Sequence, residues 1–211
     1  MALASTKKNV RDFYNKTAQQ WADRFYDDDC SQPVLEAFMA MLPDRPRVLD
    51  LCCSAGYDSK RLTALGASVV GLDLSEVSIK IARSRNPEIP FYVGNMLEDY
   101  SSIGAVDAAV CIAGFVHLRT DELRPGFERL AQVVQPGGLV LLVIRDCAGR
   151  IDRMSDVEID GEWYDRAFYA HNLEELREHA AGLFIFERTI DEPDESVWVN
   201  YVFRRTVETK V

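Results

Sequence analysis

The sequence predicts an α/β fold built on a seven-stranded, mostly parallel sheet with an antiparallel last strand and helices on both faces. From Arg47 onward, apolar segments of strand length alternate with amphipathic segments of helix length, as in repeated parallel βαβ units. Near the end of the sequence two apolar segments follow each other with no helix-length segment between them, which predicts antiparallel neighbours. A length of 211 residues suits one α/β domain, so we expect a single domain over 1–211.

The first part of the alternation begins with an apolar run that ends in VLDL. Ser75 and the acidic residues around it supply N-cap chemistry for a helix, and Asn86-Pro87 stops that helix at about Arg85. The predicted elements in this part are a strand at 47–51, a helix at 58–65, a strand at 68–72, a helix that reaches about 85, and a strand at 90–93.

The second part contains a nearly continuous apolar run, 107–112, as expected for a central strand buried on both faces. Pro136-Gly137-Gly138 is expected to end the helix that follows this strand. The remaining predicted elements are that helix at 121–134, a strand at 139–144, a helix at 173–180, and two strands at 183–189 and 197–204.

Two segments lie outside this alternation. Residues 10–26 carry apolar side chains at helical spacings and predict a helical cap within 1–30. Residues 147–170 are rich in Asp, Arg and aromatic residues, show no clear period, and are too long for an ordinary connection. We therefore expect this second segment to be an irregular insertion on the substrate side, working as a lid or a wall.

Composition narrows the classes of partner. The formal net charge is -10 and basic residues are dispersed, so nucleic acids and anionic membrane surfaces are disfavoured and a small molecule is favoured. The first residues lack the apolar core of a signal peptide, and no run of about 18 apolar residues occurs, so we expect a cytoplasmic protein. An odd number of cysteines with no C-x-x-C pair, and three scattered histidines, predict reduced thiols and no structural metal. The cysteines are Cys30, Cys52, Cys53, Cys111 and Cys147.

Residues just after each strand are the candidate ligand contacts, because ligands of open α/β sheets bind outside the carboxyl ends of the strands. Asp73, about 20 residues beyond the first turn, is placed to accept hydrogen bonds from two ribose hydroxyls. This arrangement alone would also fit NAD. However, the G-x-G-x-x-G fingerprint is missing, and Asp58 at the start of the next helix is a poor neighbour for a pyrophosphate but a tolerable one for a cationic ligand.

Taken together, VLDLCCSAG, GLDLSE, DAAVCIAGFVHL and QPGGLVLLVI resemble the motifs of class I S-adenosylmethionine-dependent methyltransferases. The N-terminal FYNKTAQQWADRF and the last helix and strand pair are similar to those of the small-molecule members, so the resemblance covers nearly the whole chain. It implies a Rossmann-like sheet, S-adenosylmethionine as cofactor, and methyl transfer to an O, N or S nucleophile of a small molecule.

The resemblance also implies roles for individual residues. Those around the methionine part of the cofactor would be Asp50, Cys52, Ser54 and Gly56. The ribose and adenine would contact Asp73, Leu74, Asn95 and Met96, with Ala113 beneath the sulfonium and Tyr14 and Trp21 closing the site from above. An aromatic ring near a sulfonium also has a physical reason, since a cation is attracted to a ring face.

His117, just past the fourth strand, is the candidate catalytic base, because the pKa of histidine suits proton transfer near neutrality. The alternative is a histidine bonded to backbone at a helix start. Five residues in and just after the irregular segment either line the substrate pocket or pack that segment onto the sheet: Trp163, Tyr164, Phe168, Tyr169 and His171.

The first motif departs from the usual VLDLGCGTG at Cys52 and Ser54, where the family carries glycine. Either substitution matters only if its position needs positive φ or close backbone contact with the ligand. These departures motivate the alternative of a protein of this fold that does not methylate, either a cofactor-assisted cyclase or isomerase or an inactive binding partner. A nicotinamide-dependent oxidoreductase is a second alternative. The sequence leaves the methyl acceptor and the oligomeric state open.

Overall fold

A computed structural model describes residues 2–146, 149–151, 156–190 and 198–207. Its helices are α1 (Ala2–Phe25), α2 (Gln32–Met39), α3 (Tyr57–Ala64), α4 (Glu76–Arg85), α5 (Thr120–Val133) and α6 (Leu173–Ala180). Its longer strands are β1 (Arg47–Leu51), β2 (Ser68–Asp73), β3 (Phe91–Val93), β4 (Val106–Ile112), β5 (Val134–Arg145), β10 (Phe184–Ile190) and β11 (Trp198–Arg205). Four shorter strands lie between β5 and α6, namely β6 (Gly149–Arg150), β7 (Asp156–Ile159), β8 (Glu162–Asp165) and β9 (Tyr169–Ala170).

The seven longer strands form one sheet in the order β10-β11-β5-β4-β1-β2-β3. Strands β1 to β5 pair in parallel, and β11 is antiparallel to both of its neighbours, β5 and β10. The predicted fold class is therefore confirmed, including the antiparallel pairing of the last two strands. The strand order reverses beside β1, so the carboxyl ends of β1 and β4 flank the crevice where ligands of such sheets bind.

Two apolar cores lie on opposite faces of this sheet. In β1, Leu49 and Leu51 face the core that α5 and α6 cover, and Val48 faces the core beneath α2, α3 and α4. Alternation along the strand produces this division, because successive side chains point to opposite faces. Phe127 of α5 and Phe38 of α2 are both fully buried. With both faces covered, the ends and edges of the sheet are left for ligands.

The structure adds one helix to the prediction and corrects two predicted boundaries. Helix α2 was not predicted at all, although Val34, Leu35 and Phe38 form a short apolar face that is buried. Helix α1 begins at Ala2 instead of near residue 10. Strand β5 begins at Val134, directly after α5, instead of at Leu139.

Pro136-Gly137-Gly138 lies inside β5 and does not separate it from α5. Gly137 has a φ of 83°, and a Cβ atom on Gly138 would lie 2.5 Å from the backbone oxygen of Asp107. The glycines thus allow close approach to β4 at a point where the pairing register shifts. Proline and glycine in a strand mark such irregularities as well as helix ends, which is why the prediction was wrong here.

The segment 147–170 is not irregular as predicted. Strands β7 and β8 form an antiparallel hairpin, and β6 pairs with β9. The hairpin turns at Asp160-Gly161, where φ is 53° and 79°. Positive φ at both central residues is the signature of a type I′ turn, which suits two-residue hairpin loops. Residues 147–148 and 152–155 of the predicted insertion lie outside the described residues.

The β7–β8 hairpin lies against α1. Lys16 Nζ of α1 is 3.0 Å from Asp160 Oδ2, and the rings of Phe13 and Tyr164 meet edge to face with centroids 6.2 Å apart. These contacts join the N-terminal helix to the segment after β5 above the carboxyl ends of the strands. Over the described ranges of the chain, none of the helices has the length and apolar character needed to cross a membrane.

Candidate functional site

The turn after β1 is held by backbone hydrogen bonds to the neighbouring strand β2. The amides of Cys52 and Cys53 both donate to the oxygen of Leu72, at 2.7 and 3.1 Å, and the amide of Ser54 donates to Asp73 Oδ2 at 2.9 Å. Cys52 has a φ of 64° and Ser54 a φ of 48°. Both departures from glycine therefore occur where the backbone is left-handed, which costs about 1–2 kcal/mol for a residue with a Cβ atom.

Gly56 closes the turn and begins α3. Its φ is 78°, and a Cβ atom there would lie 2.8 Å from Cζ of Phe91 and 3.0 Å from Nδ2 of Asn86. Both the conformation and the space therefore require glycine. Gly56 is buried and does not line the cavity that the other predicted site residues share.

Asp73 ends β2 and accepts two backbone hydrogen bonds. Its Oδ2 accepts from the amide of Ser54, and its Oδ1 accepts from the amide of Ser75 at 2.8 Å. Ser75 caps α4 by accepting from the amide of Ser78, and its hydroxyl donates to Asn15 of α1 at 2.8 Å. Each carboxylate oxygen can accept a second hydrogen bond, so Asp73 retains capacity for ligand hydroxyls.

Three carboxylates gather at this end of the site: Asp50, Asp58 and Asp73. The hydroxyl of Ser59 donates to Asp50, while Asp58 accepts from the hydroxyl of Ser31 and from Arg61. Burial and the charge of Asp58 raise the pKa of Asp50, and burial raises the pKa of Asp73 although two amide donors oppose the shift. A cationic ligand would relieve the repulsion among these groups and lower both pKa values.

Tyr14 and His117 meet across the site. The Tyr14 hydroxyl lies 2.9 Å from His117 Nε2, and His117 Nδ1 lies 2.9 Å from the backbone oxygen of Ala167. Because a carbonyl oxygen only accepts, Nδ1 carries the proton and the bare Nε2 accepts from Tyr14. Burial lowers the pKa of His117 to about 4 and raises the pKa of Tyr14 to about 12, so both groups are neutral at pH 7.

These groups surround a cavity of about 400 Å³. Every predicted site residue except Gly56 lines it: Tyr14, Trp21, Asp50, Cys52, Ser54, Asp73, Leu74, Asn95, Met96, Ala113 and His117. Ala113 has a φ of 55°, and its amide donates to the oxygen of Val143 at 2.9 Å. Asn95 Oδ1 accepts from the amide of Leu97 at 3.0 Å, which fixes its side chain in the loop after β3.

Other lining residues were not among the predicted site residues, although the sequence already placed Asp58 at a helix start beside the ligand. Tyr57, Asp58 and Ser31 lie at the acidic end, and Arg166 lies near Tyr14. The guanidinium of Arg166 is 4.8 Å from the ring centroid of Phe13 and 5.5 Å from that of Phe168. Tyr57 directly follows Gly56 in the first turn, so the sequence could have indicated that it contacts the ligand. Arg166 lies in a segment whose sequence shows no period, and no local pattern indicated its position.

The aromatic residues and the histidine near the end of the insertion were expected either to line the cavity or to seal their segment onto the sheet, and both arrangements occur. Phe168 and Tyr169 line the cavity, together with Trp198 of β11. His171 is buried and seals its segment, with Nε2 2.9 Å from the oxygen of Leu118 and Nδ1 3.1 Å from Glu175. Trp163 lies in β8 and is 71% exposed.

Residues 48–138 match a family model described as a methyltransferase domain. The match covers somewhat less than half of the chain, and this part is similar to a methyltransferase domain. It is 31% identical over 111 residues to dTDP-4-amino-2,3,4,6-tetradeoxy-D-glucose N,N-dimethyltransferase of Saccharopolyspora spinosa, covering 52% of this chain and 44% of that protein. It is 28% identical over 156 residues to malonyl-[acyl-carrier protein] O-methyltransferase of Serratia marcescens, covering 70% of this chain and 58% of that protein.

The fold of this chain also matches solved structures. Magnesium protoporphyrin IX methyltransferase from Synechocystis PCC 6803 with bound SAM superposes with a TM-score of 0.71 at 21% identity, covering 95% of this chain and 97% of that one. The chain spans about half the length of the curated relatives that it matches. At these identities the structural likeness establishes the fold.

The chemistry of the donor set fits S-adenosylmethionine. Carboxylates at one end of the cavity suit its positively charged groups, the ring of Tyr14 suits a sulfonium, and Asp73 suits ribose hydroxyls. Among the residues that the structure describes, no cluster of three or more His, Cys, Asp or Glu side chains could hold a metal ion.

Proposed function

We propose that this chain catalyses S-adenosylmethionine-dependent methyl transfer to an O, N or S nucleophile of a small molecule. The observation that carries the proposal is the meeting of the acidic turn after β1, Asp73, and the Tyr14–His117 pair in one cavity. The family match over residues 48–138 and the methyltransferase names of the relatives support it.

The bound cofactor would supply the sulfonium methyl group that is transferred. We propose that Asp73 holds its ribose hydroxyls, that Leu74 and Met96 enclose its adenine beside Asn95, and that Asp50 attracts its amino group. The methionine and sulfonium portions of the cofactor would be lined by Cys52, Ser54 and Ala113. Gly56 would shape the turn without contacting the cavity. From α1, the cofactor would be covered by Tyr14 and Trp21.

The opposite end of the cavity would hold the methyl acceptor. Phe168, Tyr169 and Trp198 offer ring surfaces there, and Arg166 lies beside them. Methyl transfer from a sulfonium is an in-line displacement, so a site accelerates it mainly by aligning two bound reactants and excluding water. Ring walls with few rotatable bonds suit that task, because they fix an acceptor at little cost in conformational entropy.

We propose that His117 acts as a base through Tyr14, not directly. Both ring nitrogens of His117 are already hydrogen-bonded, and Nε2 accepts from the Tyr14 hydroxyl. An acceptor proton would move to the Tyr14 oxygen as the Tyr14 proton moves to Nε2. With the pKa of His117 lowered to about 4, this relay serves only acceptors whose proton becomes acidic as the methyl bond forms, such as an amine turning into an ammonium.

We propose a small acceptor instead of a nucleic acid, on the basis of the net charge of -10, and a cytoplasmic location, on the basis of four cysteines present as free thiols. These four are Cys30, Cys52, Cys53 and Cys111.

Cofactor binding is tested by titrating S-adenosylhomocysteine calorimetrically into the protein and into Asp73→Ala. Loss of two ribose hydrogen bonds to a charged acceptor should weaken binding by about 1.5–3 kcal/mol for each bond, or at least about a hundredfold in all. Asp99→Ala is the control, because Asp99 is likewise bonded to a backbone amide, that of Ser101, but lies outside the cavity. Absence of heat with the unaltered protein at high micromolar ligand would contradict the proposal.

Methyl transfer itself is tested by incubating the protein with S-adenosylmethionine and panels of small amines, phenols, carboxylates and thiols. Accumulation of S-adenosylhomocysteine with a matching gain of about 14 Da in one acceptor is the expected result. Conversion of an acceptor without formation of S-adenosylhomocysteine would instead identify a cyclase or isomerase.

A further inference from the structure

Three cysteines lie around the turn after β1, and they divide between the two faces of the sheet. Cys52 and Cys111 pack into the core that α5 and α6 cover, whereas Cys53 is buried in the core on the opposite face. All three are free thiols. Cys52 also lines the cavity, while Cys111 lies beneath it and is fully buried. The methyl-transfer proposal assigns no chemistry to these sulfurs.

The sulfurs of Cys52 and Cys111 are brought together at Gly114. A Cβ atom on Gly114 would lie 2.5 Å from Cys111 Sγ and 2.7 Å from Cys52 Sγ, so both sulfurs lie around a single point that only glycine leaves open. The neighbouring Cys111 thiol is the first cause of the raised pKa of Cys52.

The backbone positions also suit a covalent bond. Cys111 belongs to β4 and Cys52 follows β1, and these strands are parallel neighbours with Asp50 beside Val110. Continuing this register places Cys111 opposite Leu51, one residue before Cys52. A strand spacing of about 4.8 Å and a rise of about 3.3 Å per residue give a diagonal of about 6 Å, and a disulfide needs a Cα separation of about 4.4–6.8 Å. Cys53 faces the other core, so it cannot replace Cys52 in such a bond.

We propose that Cys52 and Cys111 form a dithiol that a small peroxide converts reversibly into a disulfide in the floor of the cavity. In the first step one thiolate attacks hydrogen peroxide, the O–O bond breaks, and a sulfenic acid and hydroxide form. In the second step the other thiol attacks the sulfenic sulfur, the S–S bond forms, and water leaves. In total, two thiols lose two electrons and two protons, and the peroxide is reduced to two waters.

The surroundings of Cys52 set the pH dependence of this reaction. The neighbouring Cys111 thiol and burial raise the pKa of Cys52 well above its usual range, so little thiolate is present at neutral pH. Since the thiolate is the reacting species, raising the pH by one unit should make oxidation about tenfold faster, as long as the pH stays below that pKa. Access is from the cavity, where Cys52 is the partly exposed member of the pair.

The test uses the full chain carrying Cys30→Ser and Cys147→Ser, which removes the exposed Cys30 and a cysteine that lies outside the described residues. Hydrogen peroxide at about 1 mM and pH 8.5 should cause a mass loss of about 2 Da that a phosphine reductant reverses. Peptide mapping should find Cys52 joined to Cys111. Adding Cys111→Ala to this protein should abolish the bridge, whereas adding Cys53→Ala should leave the bridge unchanged. If Cys111→Ala does not fold, the peptide map of the protein that retains both Cys52 and Cys111 still decides the outcome.

Three results would overturn the proposal: a bridge between another pair of cysteines, stable addition of oxygen to Cys52 without a bridge, or no reaction of the pair. A second arm rests on the proposed function, because bound S-adenosylhomocysteine should cover Cys52 and slow bridge formation at least tenfold. Calorimetry on the same sample separates the two ideas: bound ligand without protection contradicts access through the cavity, whereas bridging without any ligand binding supports the dithiol and contradicts the proposed cofactor.

Discussion

At the scale of single residues, Cys52 and Ser54 show how a turn built for glycine tolerates larger residues. Both have left-handed backbones, and the turn is held by amide donation to Leu72 and Asp73. Non-glycine residues persist in such conformations when their surroundings over-determine them, and these sites are commonly functional. The strain therefore lies at the point where the proposed cofactor would contact the backbone.

Ser54→Gly should raise the free energy of unfolding by about 1 kcal/mol, because glycine adopts positive φ without steric cost. Ser68→Gly is the matched control. Ser68 lies at the exposed start of β2 in extended conformation, where glycine should lower stability by about 0.5–1 kcal/mol. Urea unfolding of the three proteins measures both changes, and a Ser54→Gly protein less stable than the parent would show that the hydroxyl contributes more than the strain.

His117 should make stability depend on pH. Its folded pKa of about 4 is below the ordinary value of 6.5, so its contribution is full above pH 6.5 and is lost as pH falls toward 4. Linkage predicts that His117→Gln flattens this fall by about 2 kcal/mol between pH 6.5 and 4, measured by urea unfolding across that range. An unchanged slope in His117→Gln would contradict the lowered pKa.

At the scale of elements, the β7–β8 hairpin packs against α1. Its Asp160-Gly161 turn requires positive φ at both positions, and its tip and second strand contact Lys16 and Phe13 of α1. Two elements that are far apart in the sequence therefore form one cover. Loosening the hairpin is expected to loosen α1 as well.

Gly161→Val should disrupt this hairpin, because a β-branched residue at positive φ is strongly disfavoured. We expect at least tenfold faster amide hydrogen exchange in residues 156–165, with smaller increases around Phe13. Asp160→Asn is the control, since asparagine tolerates the same backbone while the ion pair with Lys16 is lost. Unchanged exchange in Gly161→Val would show that the turn does not hold the hairpin.

The sequence predicted the central sheet well because each strand–helix unit carries its own signals. The bounds of β1 and α6 agree with prediction, and Ser75 caps α4 as its neighbours indicated. Such signals are local: apolar runs, caps and stop residues act within one turn or strand.

Errors arose where local signals have two meanings or were not weighed. Pro136-Gly137-Gly138 can end a helix or bend a strand, and only the packing of Gly138 against Asp107 decides between them. The Asp160-Gly161 pair is typical of a two-residue hairpin turn, and it lies in a segment that was predicted to be irregular. The Tyr14–His117 contact joins residues 103 positions apart, which no local pattern encodes.

At the scale of the whole molecule, charge sets which partners can approach. With a net charge of -10, phosphate backbones should be repelled. Labelled single- and double-stranded RNA and DNA should therefore show no binding that strengthens as salt is lowered from about 150 to 20 mM, measured by fluorescence anisotropy. A basic nucleic-acid-binding protein serves as the positive control, and a salt-dependent signal with this chain would contradict the proposed small-molecule acceptor.

The strand order also constrains how the chain reaches its native state. Strand β11 lies between β5 and β10, so both of its partners emerge from the ribosome before it. Until residues 198–205 are made, the edge of β5 that faces away from β4 has no partner strand, and β10 cannot join the sheet. Unpaired strand edges promote association between chains, so we expect the nascent protein to be prone to aggregation until β11 inserts.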